Sequence, residues 1–210
     1  RFLPNMMKWL EKHYGRLERK PMLFASYSHA IDGSYGQQGG TLPDQVFMHW
    51  YGKLPNFEQD SEQLIWFFAH EAIPGHHYQS SVNRIVKRTE IQDLFWYAGF
   101  VEGWGAYVEH LGDVLGVYET IYDEYGKWEW DLIRSVRVSL DVGLNYYGWS
   151  DAKAMAFWKK HIADQDDIGI REINRMKRWP AQVISYKYGA KVFLGFLENA
   201  KKDPDFDYKT

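Results

Sequence analysis

Apolar residues recur at helical spacing along most of the chain. A first amphipathic helix is predicted over residues 2–19 and ends before Pro21, which cannot continue a helix. Ser61 and the pair Ser150-Asp151 have the character of N-caps, and Pro180 is typical of a first helical position. The spacing predicts further helices over residues 61–70, 91–115, 118–147, 151–162 and 180–200. The pattern therefore favours a mainly α fold.

One short segment has the pattern of a strand. Val46–Tyr51 is β-branched and aromatic, and turn residues flank it on both sides. Residues 26–44 are predicted to form a loop, because glycines dominate their second half. With no repeat and no linker in view, we expect residues 1–210 to form a single mainly α domain with a small β element.

Composition excludes several classes of function. The 210 residues carry a net charge of −3, so there is no basic surface for nucleic acid. The absence of Cys excludes disulfides, Cys-ligated zinc and iron–sulfur clusters. The longest apolar run, Leu64–Ala69, is too short to span a membrane. Because the chain begins with Arg1, we interpret it as a processed or excised piece, and its compartment stays open.

The most informative string is His-Glu-Ala-Ile-Pro-Gly-His-His, which starts at His70. A zinc hydrolase needs two neutral imidazoles, a further ligand, and an acidic residue beside the water that the metal activates. Glu71 follows His70 directly, and a carboxylate in that position can act as general base. Three histidines and one glutamate in eight residues therefore indicate a metal site rather than an ordinary helix end.

The second histidine ligand is a choice between two neighbours. Along a straight helix, His76 and His77 would lie about 9 Å and about 10.5 Å from His70, too far to share an ion. Pro74 lacks a backbone N–H and Gly75 is flexible, so a bulge or kink is expected here. Such a bend would bring His76 into place. We favour His76, with His77 as the alternative.

A third ligand is expected from another helix. Glu102 and Glu109 share one face of an apolar stretch, and buried carboxylates need a partner. We interpret Glu102 as the ligand and Glu109 as the group that orients a histidine through its second nitrogen. The alternative is that they form ion pairs with a basic residue such as Arg134, Arg137 or Lys87. Glycines at positions 99, 103, 105 and 112 indicate that another group approaches this backbone closely.

Four blocks of sequence resemble one known family. They are HEAIPGHHYQ, FVEGWGAYVE, RVSLDVGLNYYGWS and PAQVISYKYG. They are similar to the bacterial domain-of-unknown-function 885 family, which is grouped with zincin-like metallopeptidases. Members of that family are longer and have a helical N-terminal half that this chain lacks. The resemblance implies a zincin-like catalytic domain in which His70, His76 and Glu102 bind zinc, Glu71 is the general base, and Tyr186 donates to an oxyanion. An aromatic core role for Tyr186 remains the alternative.

Three further residues, Arg137, Asp141 and Asn145, are candidates for the site or its surroundings. Arg137 and Asp141 are four apart, so we expect a helix ion pair, with substrate-carboxylate binding by Arg137 as the alternative. The family commonly has His where this chain has Asn145, and Gly where it has Ala181. An amide donates a hydrogen bond but carries no charge. We therefore expect the presence of Asn145 instead of His to affect catalytic activity more than metal binding.

The sequence thus predicts a zinc-dependent hydrolase that cleaves peptide bonds. The alternative is a metal-binding but inactive peptide-binding module. A di-iron bundle ranks last because its Glu-x-x-His signature is absent. Expected partners are a peptide substrate and either a complementary N-terminal fragment or a second copy of the chain.

Overall fold

A small sheet precedes the helices. The computed structural model describes residues 22–28, 35–36, 45–51, 65–71 and 73–208. Strands β1 (Met22–Ser28), β2 (Tyr35–Gly36) and β3 (Gln45–Tyr51) lie in the order β1-β3-β2, with β1 parallel and β2 antiparallel to β3. The strand predicted at Val46–Tyr51 lies within β3. The loop prediction over residues 26–44 is wrong where it overlaps β1 and β2, because these short strands contain residues typical of turns, Ser26 and Ser28 in β1 and Gly36 in β2.

The rest of the described chain is mainly helical, as the sequence predicted. A single 3₁₀ turn, Glu109–Leu111, follows the fourth helix. The α-helices are α1 (Ile65–Glu71), α2 (His76–Ile85), α3 (Glu90–Leu94), α4 (Ala98–Val108), α5 (Gly112–Leu115), α6 (Ile121–Asn145), α7 (Asp151–His161), α8 (Asp166–Arg178) and α9 (Ile184–Ala200). The helix predicted over residues 2–19 lies outside the described residues.

The single helix predicted over residues 91–115 is wrong. Thr89 forms a capping box with Gln92 and starts the short α3, which ends at Leu94. Phe95 and Tyr97 then adopt extended backbone angles before α4 begins. Aromatic residues have modest helix propensity, so this run offers little resistance to a break. The break turns α4 into a separate element that packs against α1 and α9.

Side-chain caps fix the starts of α6 and α7. Thr120 and Asp123 form a reciprocal capping box at the start of α6. The hydroxyl of Ser150 accepts a hydrogen bond from the backbone N–H of Lys153, as expected for the predicted cap of α7. The 25-residue α6 is the long element against which α1, α7, α8 and α9 are arranged.

The last helix begins later than predicted. Its predicted start was Pro180, but Ala181 has φ of +66°, which a right-handed helix does not contain. Residues 179–183 therefore form a turn, and α9 starts at Ile184. Helix α8, which precedes this turn, was not predicted.

Two apolar clusters form the core of the described part. One joins α1, α4, α5 and α9, and the other joins α6, α7 and α8. Helices α4 and α9 approach so closely that a Cβ at either Gly103 or Gly189 would overlap the opposite backbone. The predicted close approach is thereby confirmed at Gly103, whereas a Cβ at Gly99 on the same helix would meet nothing within 4 Å. Among the described helices, none is long and apolar enough to cross a membrane.

Candidate metal centre

The turn between α1 and α2 brings two histidines together. Helix α1 ends at Glu71 and α2 begins at His76, and the rings of His70 and His76 have centroids 4.8 Å apart. A side chain at Gly75 would overlap the carbonyl oxygen of His70. Only glycine therefore allows α2 to start so close to the end of α1. The expected kink after Pro74 takes the form of a full break between two helices.

Helix α4 forms the wall behind these two rings. A Cβ at Gly105 would lie 2.7 Å from Nε2 of His70 and 3.0 Å from Cε1 of His76, so both imidazoles pack directly on the α4 backbone. The indole N–H of Trp104 donates to the carbonyl oxygen of Pro74 at 2.8 Å. This bond ties α4 to the turn that positions the histidines.

Three side chains converge at this point, and a fourth lies beside one of them. Ligand atoms of His70, Glu71 and His76 all lie within 4.8 Å of one another, and the three residues are buried. Glu102 reaches the same place from α4, with Oε2 3.5 Å from Nε2 of His76. His77 is also buried, but among the described residues the cluster of convergent ligand atoms consists of the first three.

The donor set fits a zinc-type ion. Imidazole nitrogens with carboxylate oxygens are the ligands of catalytic zinc sites that lack cysteine. Oε2 of Glu71 is buried and has no hydrogen-bond partner within the part of the chain that the structure describes. Such an atom is costly to bury unless something else engages it. Both observations are those expected of residues arranged around a cation and the water beside it.

Glu109 orients the imidazole ring of His70 through a contact with Nδ1. Its Oε1 lies 2.5 Å from Nδ1 of His70, and both groups are buried. Arg134 donates to both oxygens of the same carboxylate, at 2.5 Å and 2.7 Å. Burial alone would raise the pKa of Glu109, but Arg134 and His70 hold it below its ordinary value. An ionised Glu109 only accepts, so Nδ1 of His70 carries its proton and Nε2 presents a lone pair.

The pKa values of the other ionisable groups at the centre are shifted in different directions. Burial raises the pKa of Glu71, against the lowering effect of His70 and His76. Burial would also raise the pKa of Glu102, but its hydrogen bond to His76 and the nearby histidine charges lower it. Burial would lower the pKa of His76, but Glu102 and the charge of Glu71 raise it. The centre thus holds one carboxyl biased toward the neutral form and one biased toward the ionised form.

Tyr186 lies at the edge of the centre on α9. Its ring stacks on His70 with a centroid separation of 6.3 Å, and the side-chain amide of Gln182 links its hydroxyl oxygen to Oε1 of Glu102. The hydroxyl oxygen accepts from Arg175 at 3.2 Å and from Gln182 at 3.3 Å. Since a phenol has one proton and two lone pairs, these two donors occupy the lone pairs and leave the O–H proton for a third group. Burial and the charge of Glu102 raise the pKa of Tyr186.

Gln182 was missed as a site residue. It is buried, and its amide N–H groups donate to Glu102 and to Tyr186, each at 3.3 Å. Its carbonyl oxygen accepts from Arg175 at 2.8 Å. Its position four residues before Tyr186 was the feature of the sequence that could have identified it as a site residue. The turn that carries it was wrongly predicted as helix.

Three predicted residues support this turn or pack behind it. The helix ion pair expected between Arg137 and Asp141 is wrong: Nη1 of Arg137 lies 3.0 Å from Oε2 of Glu172 on α8. Asp141 instead accepts from the backbone N–H of Ala181, at 3.1 Å and 3.0 Å to its two oxygens. Arg137 thus pairs with a buried carboxylate on a neighbouring helix, and Asp141 accepts from a backbone donor. These contacts take the place of the weak ion pair expected along one helix.

Asn145 forms hydrogen bonds in the same region. Its side-chain amide donates to Asp141 and to the carbonyl oxygen of Met176, each at 3.2 Å. Both bonds link the end of α6 to α8 and to the carboxylate that holds the turn. The structure therefore gives Asn145 contacts with neighbouring elements of the fold rather than with the side chains of the candidate metal centre.

Comparisons with solved structures show the fold of this chain in longer proteins. A "putative lipoprotein" from Colwellia psychrerythraea matches with a TM-score of 0.80 and 22% identity over 99% of this chain. A "putative lipoprotein of unknown function" from Shewanella oneidensis matches with a TM-score of 0.74 and 21% identity, also over 99%. The chain spans 37% and 40% of the length of these two proteins.

No curated protein matches the sequence. The family described as "bacterial protein of unknown function (DUF885)" matches residues 1–210, and the chain therefore belongs to this bacterial family.

Proposed function

We propose that this chain is the catalytic part of a zinc-dependent hydrolase of zincin-like type that cleaves peptide bonds. The observation that carries the proposal is the convergence of His70, Glu71 and His76, with Glu102 reaching His76 from a second helix. Surface clusters of acidic groups are common without a metal, but this one is buried and includes two imidazoles.

His70, His76 and Glu102 would hold the ion. Nε2 of His70 is available because Glu109 engages the opposite nitrogen, and Arg134 keeps that carboxylate in place. When bound, zinc supplies a Lewis acid that polarises a carbonyl and lowers the pKa of a water molecule. The backbone of Gly105 limits how far either imidazole can turn.

Glu71 is the proposed general base. It lies next to a proposed ligand, is buried, and has an oxygen that no described residue engages by a hydrogen bond. Oε2 would take a proton from water and later deliver it to the leaving amine nitrogen. An environment that disfavours its charge suits both halves of this exchange.

Tyr186 is the proposed donor to the oxyanion. Arg175 and Gln182 occupy the lone pairs of its oxygen, so the hydroxyl proton is left for a third group such as a substrate oxygen at the centre. A substrate carbonyl at the centre would meet this O–H as negative charge develops on its oxygen.

The first test is elemental analysis of the protein purified without added metal, beside His70→Ala. About one zinc per chain, lost in the variant, is the expected result, and zinc in neither protein would contradict the proposed site. Peptide cleavage is then measured with and without a chelator, and in Glu71→Gln. The expected outcome is chelator-sensitive cleavage that falls by roughly 10²–10⁴-fold in Glu71→Gln while zinc is retained.

A protein that binds zinc and retains peptides but cleaves none would instead be a peptide-binding module. A Glu71→Gln variant with the full rate of cleavage would contradict the role of Glu71 as general base.

A further inference from the structure

Gln182 lies between two groups to which the proposed function gives separate roles. It is buried and belongs to the turn just before α9. Its Nε2 lies 3.3 Å from Oε1 of the proposed ligand Glu102 and 3.3 Å from the hydroxyl oxygen of Tyr186. Because a side-chain amide has two N–H groups, Gln182 donates to both at once. One side chain therefore connects the proposed metal ligand to the proposed oxyanion donor.

The orientation of this amide follows from its third contact. Its carbonyl oxygen accepts a hydrogen bond from Nη2 of Arg175 at 2.8 Å. A guanidinium group only donates, so the amide oxygen faces Arg175 and the amide nitrogen faces Glu102 and Tyr186. The opposite orientation would place the amide oxygen against a carboxylate oxygen, which repels it. The three contacts thus use both N–H groups and the carbonyl oxygen of Gln182.

The contact with Gln182 distinguishes the two oxygens of Glu102. Oε1 accepts from Gln182, whereas Oε2 lies 3.5 Å from Nε2 of His76. Carboxylates that bind metal ions are oriented by hydrogen bonds from neighbouring groups, as histidine ligands are. Gln182 therefore holds Glu102 in the pose that turns Oε2 toward the proposed second histidine ligand.

The backbone on both sides of Gln182 is anchored. The two oxygens of Asp141 accept from the backbone N–H of Ala181, at 3.1 Å and 3.0 Å. The hydroxyl of Ser185 donates to the backbone carbonyl oxygen of Gln182 at 2.6 Å. A side chain holds other groups in place only if its own position is fixed by its surroundings. Gln182 meets this condition.

We propose that Gln182 is a positioning residue that holds Glu102 and Tyr186 in a fixed relation through the two N–H groups of one amide. This inference rests on the proposed zinc-dependent hydrolysis and adds to it a residue that serves both metal binding and oxyanion stabilisation. Two separate effects follow from loss of the amide. Zinc affinity falls because Glu102 loses its orientation, and kcat falls because Tyr186 loses its orientation.

The test compares Gln182→Met with Gln165→Met. Methionine has about the length of glutamine but donates no hydrogen bond. Gln165 is the matched control because its amide also donates to a glutamate, Glu129 on α6, and within the described part of the chain neither residue is bonded to the candidate metal centre. Circular dichroism checks folding, competition with a chelator measures zinc affinity, and peptide cleavage at saturating zinc gives kcat and KM.

In Gln182→Met, zinc affinity is expected to fall by roughly 10–100-fold, the usual effect of losing a group that orients a ligand. We expect kcat at saturating zinc to fall by roughly 10–100-fold through misplacement of the oxyanion donor. KM should change little, because the hydrogen bond to the oxyanion forms in the transition state. All three values should be unchanged in Gln165→Met. Zinc affinity or kcat in Gln182→Met equal to that of the control would overturn the proposal.

Tyr186→Phe separates positioning from a general loss of structure. This substitution removes the hydroxyl through which Gln182 is proposed to affect kcat. In the Tyr186→Phe background, Gln182→Met should lower zinc affinity as before but should lower kcat much less than in the wild type. Losses in kcat that multiply in the double variant would overturn the proposal, since Gln182 would then affect catalysis independently of Tyr186.

Gln182→Asn takes the place of Gln182→Met if the latter does not fold. It keeps a buried amide but withdraws it by one methylene group, so the same two losses are expected, and wild-type values would overturn the proposal. A wild type that binds zinc and cleaves peptides, with Gln182 variants that match the control, would leave the proposed hydrolase intact and refute only this inference. A wild type without zinc would refute the proposed function and this inference with it.

Discussion

Oε1 of Glu109 lies 2.5 Å from Nδ1 of His70, and this contact joins the proposed metal centre to a buried ion pair. The same carboxylate is bound by both terminal nitrogens of Arg134. Arg134 in turn lies over the rings of Trp66 and Tyr186, at 5.3 Å and 5.9 Å. The orientation of one proposed ligand therefore depends on α6, which contributes neither a proposed ligand nor the proposed general base.

Glu109→Gln tests this dependence. The variant keeps the shape but loses the charge that fixes the proton on Nδ1 of His70. We expect zinc affinity to fall by roughly 10–100-fold. We also expect the free energy of unfolding to fall by about 3 kcal/mol or more, since Arg134 is left buried beside a neutral group. Competition with a chelator measures the first effect and urea denaturation measures the second.

Glu198→Gln is the matched control for Glu109→Gln. Glu198 is exposed and pairs with Lys201 on the surface of α9, so the free energy of unfolding should change by less than about 1 kcal/mol. Lower stability in Glu109→Gln with unchanged zinc affinity would mean that Glu109 serves only as the partner of Arg134.

His76→Ala and His77→Ala distinguish the two candidates for the second ligand. Both side chains are buried, so each substitution leaves a similar cavity and a similar loss of stability is expected. Only His76 belongs to the described cluster of convergent ligand atoms, so only His76→Ala should lose zinc. Zinc content per folded chain, from elemental analysis and circular dichroism, checks this. The reverse pattern would exchange the roles of the two residues.

Gly105→Ala tests the packing of the imidazoles on α4. The added Cβ would lie 2.7 Å from Nε2 of His70 and displace a ring. We expect zinc affinity to fall by about tenfold or more, the usual size of the effect when a ligand loses its orientation. Gly99→Ala on the same helix is the control, because nothing lies within 4 Å of its added Cβ.

In Gly99→Ala, zinc affinity should be unchanged and stability should rise by roughly 0.5–1 kcal/mol through helix propensity. A Gly105→Ala variant that binds zinc as tightly as Gly99→Ala would show that the rings can move away from α4 without cost.

The convergence of His70 and His76 was predictable because it depends on seven consecutive residues. Pro74 cannot donate the helical hydrogen bond and Gly75 permits a close approach, so the break is encoded locally. Glu102 and Glu109 were found for a similar reason, since a spacing of seven puts both on one face of a helix.

The surroundings of Tyr186 were not predictable in the same way. Arg175 and Gln182 lie on another helix and on a turn, and their contacts exist only after α8 and α9 have packed. Arg137 illustrates the limit of local rules. Its spacing to Asp141 predicts a pair worth a few tenths of a kcal/mol, whereas the fold offers it the buried carboxylate of Glu172.

Ala181→Gly tests the turn that presents Gln182. Ala181 has φ of +66°, a conformation that costs an L-residue with a Cβ but not glycine. The carboxylate of Asp141 holds this turn through the backbone N–H of Ala181, so the conformation should persist in the variant. The net gain in the free energy of unfolding is expected to be about 0.5–1 kcal/mol, after the entropy cost of glycine in the unfolded chain.

Ala156→Gly is the matched control for Ala181→Gly, since Ala156 is exposed in the middle of α7. There the same substitution should lower stability by about 1 kcal/mol, because glycine is a poor helix former. Opposite signs in urea denaturation would establish that Ala181 is strained where it stands. Equal losses in the two variants would show that the turn relaxes around Ala181, and the anchoring by Asp141 would then be too weak to fix the position of Gln182 beside Tyr186.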